Sequence, residues 1–430
     1  MKVHLTNLGC RLNQAEIDNL ARDFLQRGDE IVEASAKADL MVVNTCAVTR
    51  EAERSSRQVI YRLHRANLGA QIAITGCYAS LNTAEGAALP GVTHVVGNDV
   101  KDNLVSIVTG QALDKVEVYD AEPFEREKHP GIQGRTRAFV KVQDGCDRHC
   151  SFCVTRLARG KGRSRDLIEI VQEVQKLHSA GYQECVLTGV HLGSYGQDLG
   201  HSTGLYELVK ALLNETDVPR IRLSSLEPWG LAPGFFRLWD SPRLCPHLHL
   251  PLQSGCDATL RRMIRRTSQR EFRAVVESAR EAIPDVAIAT DVIVGFPGET
   301  DAEFAISRDF IEAMDFADMH VFRFSVRPGT AAARLLNPVN DSVKQWRSDK
   351  LQELSHAAHD RYARRFVGMS LPVLWEGVSG ATEHGFVNAG FTPNHLRVQC
   401  VYGDVLTNNI LLAHLLQYDT EQAIMQGALC

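Results

Sequence analysis

The chain has 430 residues, of which 44% are hydrophobic, and its 52 acidic against 47 basic side chains leave a net charge of −5. That length exceeds one ordinary core and predicts two or three domains. The opening "MKVHLTNLGCRLNQ" has no basic segment followed by an apolar run, and no stretch reaches the roughly 20 apolar residues of a membrane span; a cytoplasmic protein with no membrane partner is expected. In a reducing compartment the 11 cysteines read as thiols or metal ligands rather than as a disulfide framework. The small negative charge gives no global pull on nucleic acid, so any RNA partner has to be held by local basic patches.

In chain order, the first hundred residues alternate the strand patterns "VHLTNL", "LMVVN", "QIAIT" and "VTHVVG" with helical ones such as "QAEIDNLARDFLQRG". This predicts a small parallel sheet covered by helices. Residues 119–136 mix charge with Pro and Gly, lack apolar periodicity, and read as a linker. From "AFVKVQ" to "HVFRFS" come six candidate strands separated mostly by helical patterns. The first of these helices carries its apolar stripe on Leu167, Ile170, Val171, Val174 and Leu177. Six βα units predict a barrel with fewer than the usual eight strands, open on one side. A polar helical stretch then leads to residues 366–430, rich in β-formers and read as a small β-barrel-like module.

Cys10, Cys46 and Cys77 fall just past the ends of three strands of the first domain. Parallel strands share an edge, so their thiols are expected at one end of the sheet, where open α/β folds bind ligands. Cys146, Cys150 and Cys153 lie within eight residues, directly after the first barrel strand. That spacing lacks the second ligand pair of a zinc finger, and three thiolates on a compact loop suit an iron–sulfur cluster. With three cysteines on four irons, one iron keeps an open site for a small molecule. The remaining five cysteines show no such arrangement.

At these residues the chain resembles the radical S-adenosylmethionine (SAM) enzymes, and within them the methylthiotransferases. The resemblance rests on "GCRLNQAEIDNL", "VNTCAVT", "TGCYA", "GCDRHCSFC" and "ARGKGRSR", and continues through "LTGVHLGSYG", "HLHLPLQSGCDATLRRM", "TDVIVGFPGET" and "GFTPNHLRV". It implies an α/β fold of several parts. Residues 1–118 would form an N-terminal flavodoxin-like parallel sheet domain, 137–365 a central partial (β/α)6 radical SAM barrel, and 366–430 a C-terminal TRAM-type RNA-binding β-barrel. It also implies two [4Fe-4S] clusters. The one at Cys146, Cys150 and Cys153 would chelate and cleave SAM to a 5'-deoxyadenosyl radical; the auxiliary one at Cys10, Cys46 and Cys77 would hold the sulfur delivered to the product, a second SAM supplying the methyl group.

Further expected SAM contacts are Phe152, between the last two ligands, Thr188, Gly189 and His191 in "TGVH", Ser224 and Glu227 after the third barrel strand with Ser225 between them, and Asp291 in the fifth. For each, ordinary packing or hydrogen bonding is the competing reading. The run Arg156, Arg159, Lys161, Arg163 and Arg165 is expected to grip phosphate or the SAM carboxylate, a solvated charged loop being the competing reading, and Arg261, Arg262, Arg265 and Arg266 to form a solvated helix face, with an RNA contact as the second reading. The "VTRL" before "ARG" stands where relatives often carry an Ile-Pro-aromatic turn. Residues 361–430 hold four arginines, no lysine and five carboxylates, which is no basic footprint for RNA.

The first motif looks most like the branch acting on N6-threonylcarbamoyladenosine 37 of tRNA, at C2. Its implied partners are a tRNA anticodon stem-loop, an electron donor such as flavodoxin or ferredoxin, and a sulfur donor. The isopentenyladenosine branch, the branch acting on a ribosomal-protein aspartate, and a non-catalytic iron–sulfur redox sensor are the rival readings.

Overall fold

The computed structural model describes residues 1–111 and 136–430. The linker read at 119–136 lies, up to residue 135, outside the described residues.

The N-terminal part is a parallel sheet of β1 (Lys2–Asn7), β2 (Glu30–Ile31), β3 (Leu40–Thr45), β4 (Gln71–Gly76) and β5 (Val92–Val96), in the order β2-β1-β3-β4-β5. Strand β3, "LMVVNT", is buried along its whole length because it lies at the sheet's centre with both faces covered. The first helix, α1 (Arg11–Gln26), buries Leu12, Ala15, Leu20, Ala21 and Phe24 on one stripe. Strand order reverses between β1 and β3, the position where such sheets open a ligand crevice. Cys46 and Cys77 directly follow β3 and β4; Cys10 sits three residues beyond β1.

The six strands read from "AFVKVQ" onward all form. They are β6 (Arg137–Lys141), β9 (Glu184–Thr188), β10 (Arg220–Leu223), β11 (His247–His249), β12 (Ala287–Val294) and β13 (Asp318–Arg323), with the short pair β7 (Gln143–Asp144) and β8 (Arg163–Ser164) between the first two. All pairings among the six are parallel, and isolated bridges Ile221 to Leu244 and Ser225 to His249 join the two three-stranded sheets β6-β9-β10 and β11-β12-β13. The result is a partial barrel with β6 and β13 at its open edges. Helices Gln269–Ala282 and Asp301–Met314 start with reciprocal capping boxes, Ser268 with Glu271 and Thr300 with Glu303.

The helix Asp341–Arg364 leads to a closed barrel of β14 (Ser370–Thr382), β15 (Gly385–Phe391), β16 (Arg397–Tyr402), β17 (Ile410–Asp419) and β18 (Ile424–Leu429), built around Trp375. Its attachment is polar and specific. Arg220 donates to the carbonyls of Phe391 and Pro372 at 3.0 and 2.8 Å, and Arg222 donates to Pro393 O at 2.9 Å. Helix α1 packs against β6, so the N-terminal sheet stands at one open edge of the partial barrel. No helix among the described residues is long and apolar enough to cross a membrane.

Candidate functional site

The first cysteine set is crowded into place by backbone that only glycine can supply. A Cβ on Gly9, at φ +102°, would stand 2.8 Å from Cys46 Sγ, and one on Gly76, at φ +94°, would stand 2.3 Å from Thr45 O. These two close approaches bring the loops carrying Cys10, Cys46 and Cys77 together. Burial raises the Cys46 thiol to about 11, and the neighbouring Cys77 and Cys10 thiols add to that shift. Such thiols ionise on binding a metal rather than in water.

Cys146, Cys150 and Cys153 sit in the loop after β7, each partly exposed. The loop is pinned to the helix Asp257–Arg262: the Ser151 N–H donates to Met263 O at 3.0 Å and the Ser151 hydroxyl donates to Arg262 O at 2.8 Å. Three donors face the sulfurs. The Arg148 and Thr155 N–H groups lie 3.4 Å from Cys146 and Cys153 Sγ, and Arg265 Nη1 lies 3.8 Å from Cys150 Sγ. Donors of this kind favour thiolates, the form that binds iron.

Among the described residues, the one group of three possible ligands whose atoms all lie within 4.8 Å is His249, Asp291 and His320. Neither cysteine set closes to that spacing.

The other expected contacts divide. The His191 ring nitrogens and the Ser224 hydroxyl are buried without a partner among the described residues, a state that costs free energy until a ligand supplies one. Burial lowers the pKa of His191, partly opposed by Glu227. Glu227 accepts from Arg265 at 2.9 Å, and the Arg265 guanidinium lies 4.5 Å from the Trp229 ring centroid. Phe152 packs against the buried cluster of Met263, Phe296, Phe324 and Ala332. Thr188 O accepts from the Val142 N–H, and the His191 N–H donates to Gln143 Oε1 at 2.9 Å, so part of the "TGVH" backbone is already engaged. Gly189 lies against that same Gln143 side chain. Asp291 stands apart from these, accepting from His249 at 3.0 Å and His320 at 3.1 Å, while His249 also meets Ser225 Oγ at 2.7 Å.

The basic run does not act as one grip. Arg159 is buried and donates to Glu16 Oε1 at 2.8 Å, Asn13 Oδ1 at 2.6 Å and Asp144 Oδ1 at 2.9 Å. Arg165 is paired with Glu173 at 2.6 Å, leaving Arg156, Lys161 and Arg163 nearer solvent. The second arginine group divides as well: Arg261 and Arg266 are exposed, while Arg262 pairs with Glu303 and the Arg265 side chain is buried. Sequence periodicity places residues on a helix face but does not say what covers it.

Arg159 lies at the centre of the contact between the two cysteine sets. Lys101 donates to Glu16 Oε2 at 2.6 Å, which completes a buried network with Arg159 and Asp144. Asn13, which accepts from Arg159, also receives the Cys10 thiol at 3.7 Å. On the other side Asn98 donates to Ala158 O at 2.8 Å and lies 3.9 Å from Cys77 Sγ. The segment following Cys153 is thereby joined to the surroundings of Cys10 and Cys77. Asn13, Glu16, Asn98, Lys101, Gln143, His249 and His320 were not foreseen. The one local hint was "NQAE", polar residues where a helix turns toward its sheet.

Arg11, next to Cys10, is partly buried and has no hydrogen-bond or ion-pair partner among the described residues. Burial, reinforced by Arg222 and Arg137, lowers its guanidinium to about 10, which leaves it charged at neutral pH.

Comparison with known proteins matches residues 140–311 to the Radical SAM superfamily and residues 2–97 to a family described as uncharacterized protein family UPF0004. A threonylcarbamoyladenosine tRNA methylthiotransferase MtaB of Bacillus subtilis is 37% identical, the match covering 91% of this chain and 88% of that protein. The chain belongs to the radical SAM methylthiotransferase family. Another member, MtaB of Thermotoga maritima, is 38% identical with 92% of each chain covered. A tRNA-2-methylthio-N(6)-dimethylallyladenosine synthase of Maricaulis maris is 34% identical with 89% of each covered. Among solved structures, the radical SAM methyltransferase TsrM of Kitasatospora setae shares the fold, with TM-score 0.58 and 17% identity over 77% of this chain and 76% of that one. The methylthiotransferases are sulfur-group transferases, and iron–sulfur clusters and SAM are this family's cofactors.

Proposed function

We propose that this enzyme adds a methylthio group to C2 of N6-threonylcarbamoyladenosine 37 in tRNA. The observation that carries the reading is the joining of two three-cysteine sets through Asn13, Asn98 and Arg159. Four relatives of 34 to 39% identity bear the threonylcarbamoyladenosine name and support the acceptor. Cys146, Cys150 and Cys153 would hold the cluster that takes SAM, and Cys10, Cys46 and Cys77 the auxiliary one. When bound, SAM and its cluster would supply a 5'-deoxyadenosyl radical at Cys146, Cys150 and Cys153, and the auxiliary cluster would supply transferable sulfur at Cys10, Cys46 and Cys77.

The chain's own residues bind, orient and exclude water. The N–H groups of Arg148 and Thr155 and the Arg265 guanidinium offset thiolate charge at the radical loop. His191 and Ser224 offer unpaired polar atoms to the SAM head, and Glu227 keeps Arg265 in position. Glu16, Lys101 and Arg159 fix the two sets relative to one another. In this reading residues 1–118 form the auxiliary-cluster domain, 137–365 the radical SAM core and 366–430 the TRAM-like module. The enzyme works in the cytoplasm with a flavodoxin or ferredoxin as electron donor, a separate sulfur donor, and the tRNA anticodon stem-loop as substrate.

The test is mass spectrometry of tRNA nucleosides from cells with and without the protein. Loss of methylthiolated threonylcarbamoyladenosine is expected. Loss of the methylthiolated dimethylallyl nucleoside alone would move the enzyme to the second reading, which relatives of 31 to 34% identity support.

A further inference from the structure

Helix α1 begins at Arg11 with nothing to balance its positive end. The N-cap is Cys10, whose side chain makes no cap hydrogen bond, and no acidic residue lies in the first turn. Arg11 lies within electrostatic reach of Arg137, Arg222 and Glu184, and of the barrel-strand residues His247 and His320. These surroundings belong to the partial barrel, although Arg11 itself belongs to the N-terminal part that carries Cys10. The other arginines there are satisfied. Arg137 pairs with Glu376 at 2.6 Å, Arg222 with Glu184 at 2.6 Å, and Arg220 binds two carbonyls of the C-terminal barrel. Arg11 has no such partner among the described residues. Holding an unpaired guanidinium among like charges is costly unless an anion joins it.

We propose that Arg11 receives the carboxylate of the threonylcarbamoyl group and is the residue that selects this adenosine over uncharged ones. The inference rests on the acceptor proposed above. Three facts support it. Arg11 follows directly on Cys10 in the chain, so the segment that carries it also carries the sulfur-holding set. A guanidinium fork matches a carboxylate with two parallel hydrogen bonds. The threonylcarbamoyl substituent ends in a carboxylate, whereas the dimethylallyl group has neither charge nor acceptor. An RNA phosphate is the other source of anionic oxygens, and the experiment separates the two.

Cluster-loaded enzyme is titrated with three anticodon stem-loops that differ only in the target base: threonylcarbamoyladenosine, dimethylallyladenosine and plain adenosine. Wild type should bind the first roughly 10- to 100-fold more tightly than the others, the size of one charge-assisted contact. Arg11→Gln should erase that preference while the affinity for plain adenosine stays, and Arg11→Lys should keep most of it. Iron content and circular dichroism report folding; if Arg11→Gln loses iron, the Lys variant and an Arg11→Met variant carry the comparison. Equal weakening for all three loops would assign Arg11 to a phosphate and overturn the proposal, as would an unchanged preference or a weakened affinity for SAM. If wild type itself methylthiolates only the dimethylallyl loop, the acceptor assignment fails, an outcome distinct from failure of the Arg11 role.

Discussion

Glu16→Gln is the most informative single change because it alters one charge and almost no volume. The side chains of Glu16, Lys101 and Arg159 are 2 to 3% exposed. Asp144 pairs with Arg159 at 2.9 Å, and Lys141 stands 4.0 Å from Glu16 at the rim of the network. The substitution leaves Lys101 with the uncharged Asn44 Oδ1 at 3.1 Å and Arg159 with Asp144, and breaking a buried pair from one side costs about 3 to 5 kcal/mol because the remaining charge is stranded. At about 2 kcal/mol per molar urea, that loss lowers the midpoint of the N-terminal transition by about 1.5 to 2.5 M. The assay is urea denaturation followed by circular dichroism, with hydrogen exchange of β1 and β3 to identify the part that opens. Lys101→Met added to Glu16→Gln removes the stranded ammonium and should cost less than the two single changes summed. A loss below about 1 kcal/mol, the range of solvated surface pairs, or simple additivity of the two changes, would refute the reasoning.

Burial alone would raise the Glu16 carboxyl, yet Lys101 and Arg159 hold it well below its usual 4.5. Its contribution to stability is therefore complete above pH 4.5 and is lost as pH falls from there through the lowered value, so the Glu16→Gln deficit should narrow progressively below pH 4.5. In the proposed arrangement, Gly76→Ala should lose the iron at Cys10, Cys46 and Cys77 and keep that at Cys146, Cys150 and Cys153, since its Cβ would meet Thr45 O at 2.3 Å; unchanged total iron would refute this. The hydrogen bond to Asp291 raises His320 above its usual 6.5. The stabilisation from that pair is therefore present below pH 6.5 and lost as pH rises through the raised value. Asp291→Asn should bring the His320 titration, followed by nuclear magnetic resonance, back down; an unmoved midpoint would refute the pairing.

The sequence by itself determined the six thiols at their strand ends and loop, the six barrel strands, and the family, because apolar periodicity and ligand spacing are local patterns. It also exposed the departure at "VTRL" and the lack of basic footprint in the tail. Only the tertiary structure decided which charges are buried and which are paired. Arg159 looked like part of a phosphate grip, yet its partner Glu16 lies 143 positions away; Lys101 reaches the same carboxylate across 85. Arg11 and Arg159 have the same side chain and each lies near a thiol set. What separates them is a neighbouring carboxylate, and no periodicity along the chain encodes which arginine will be left without one.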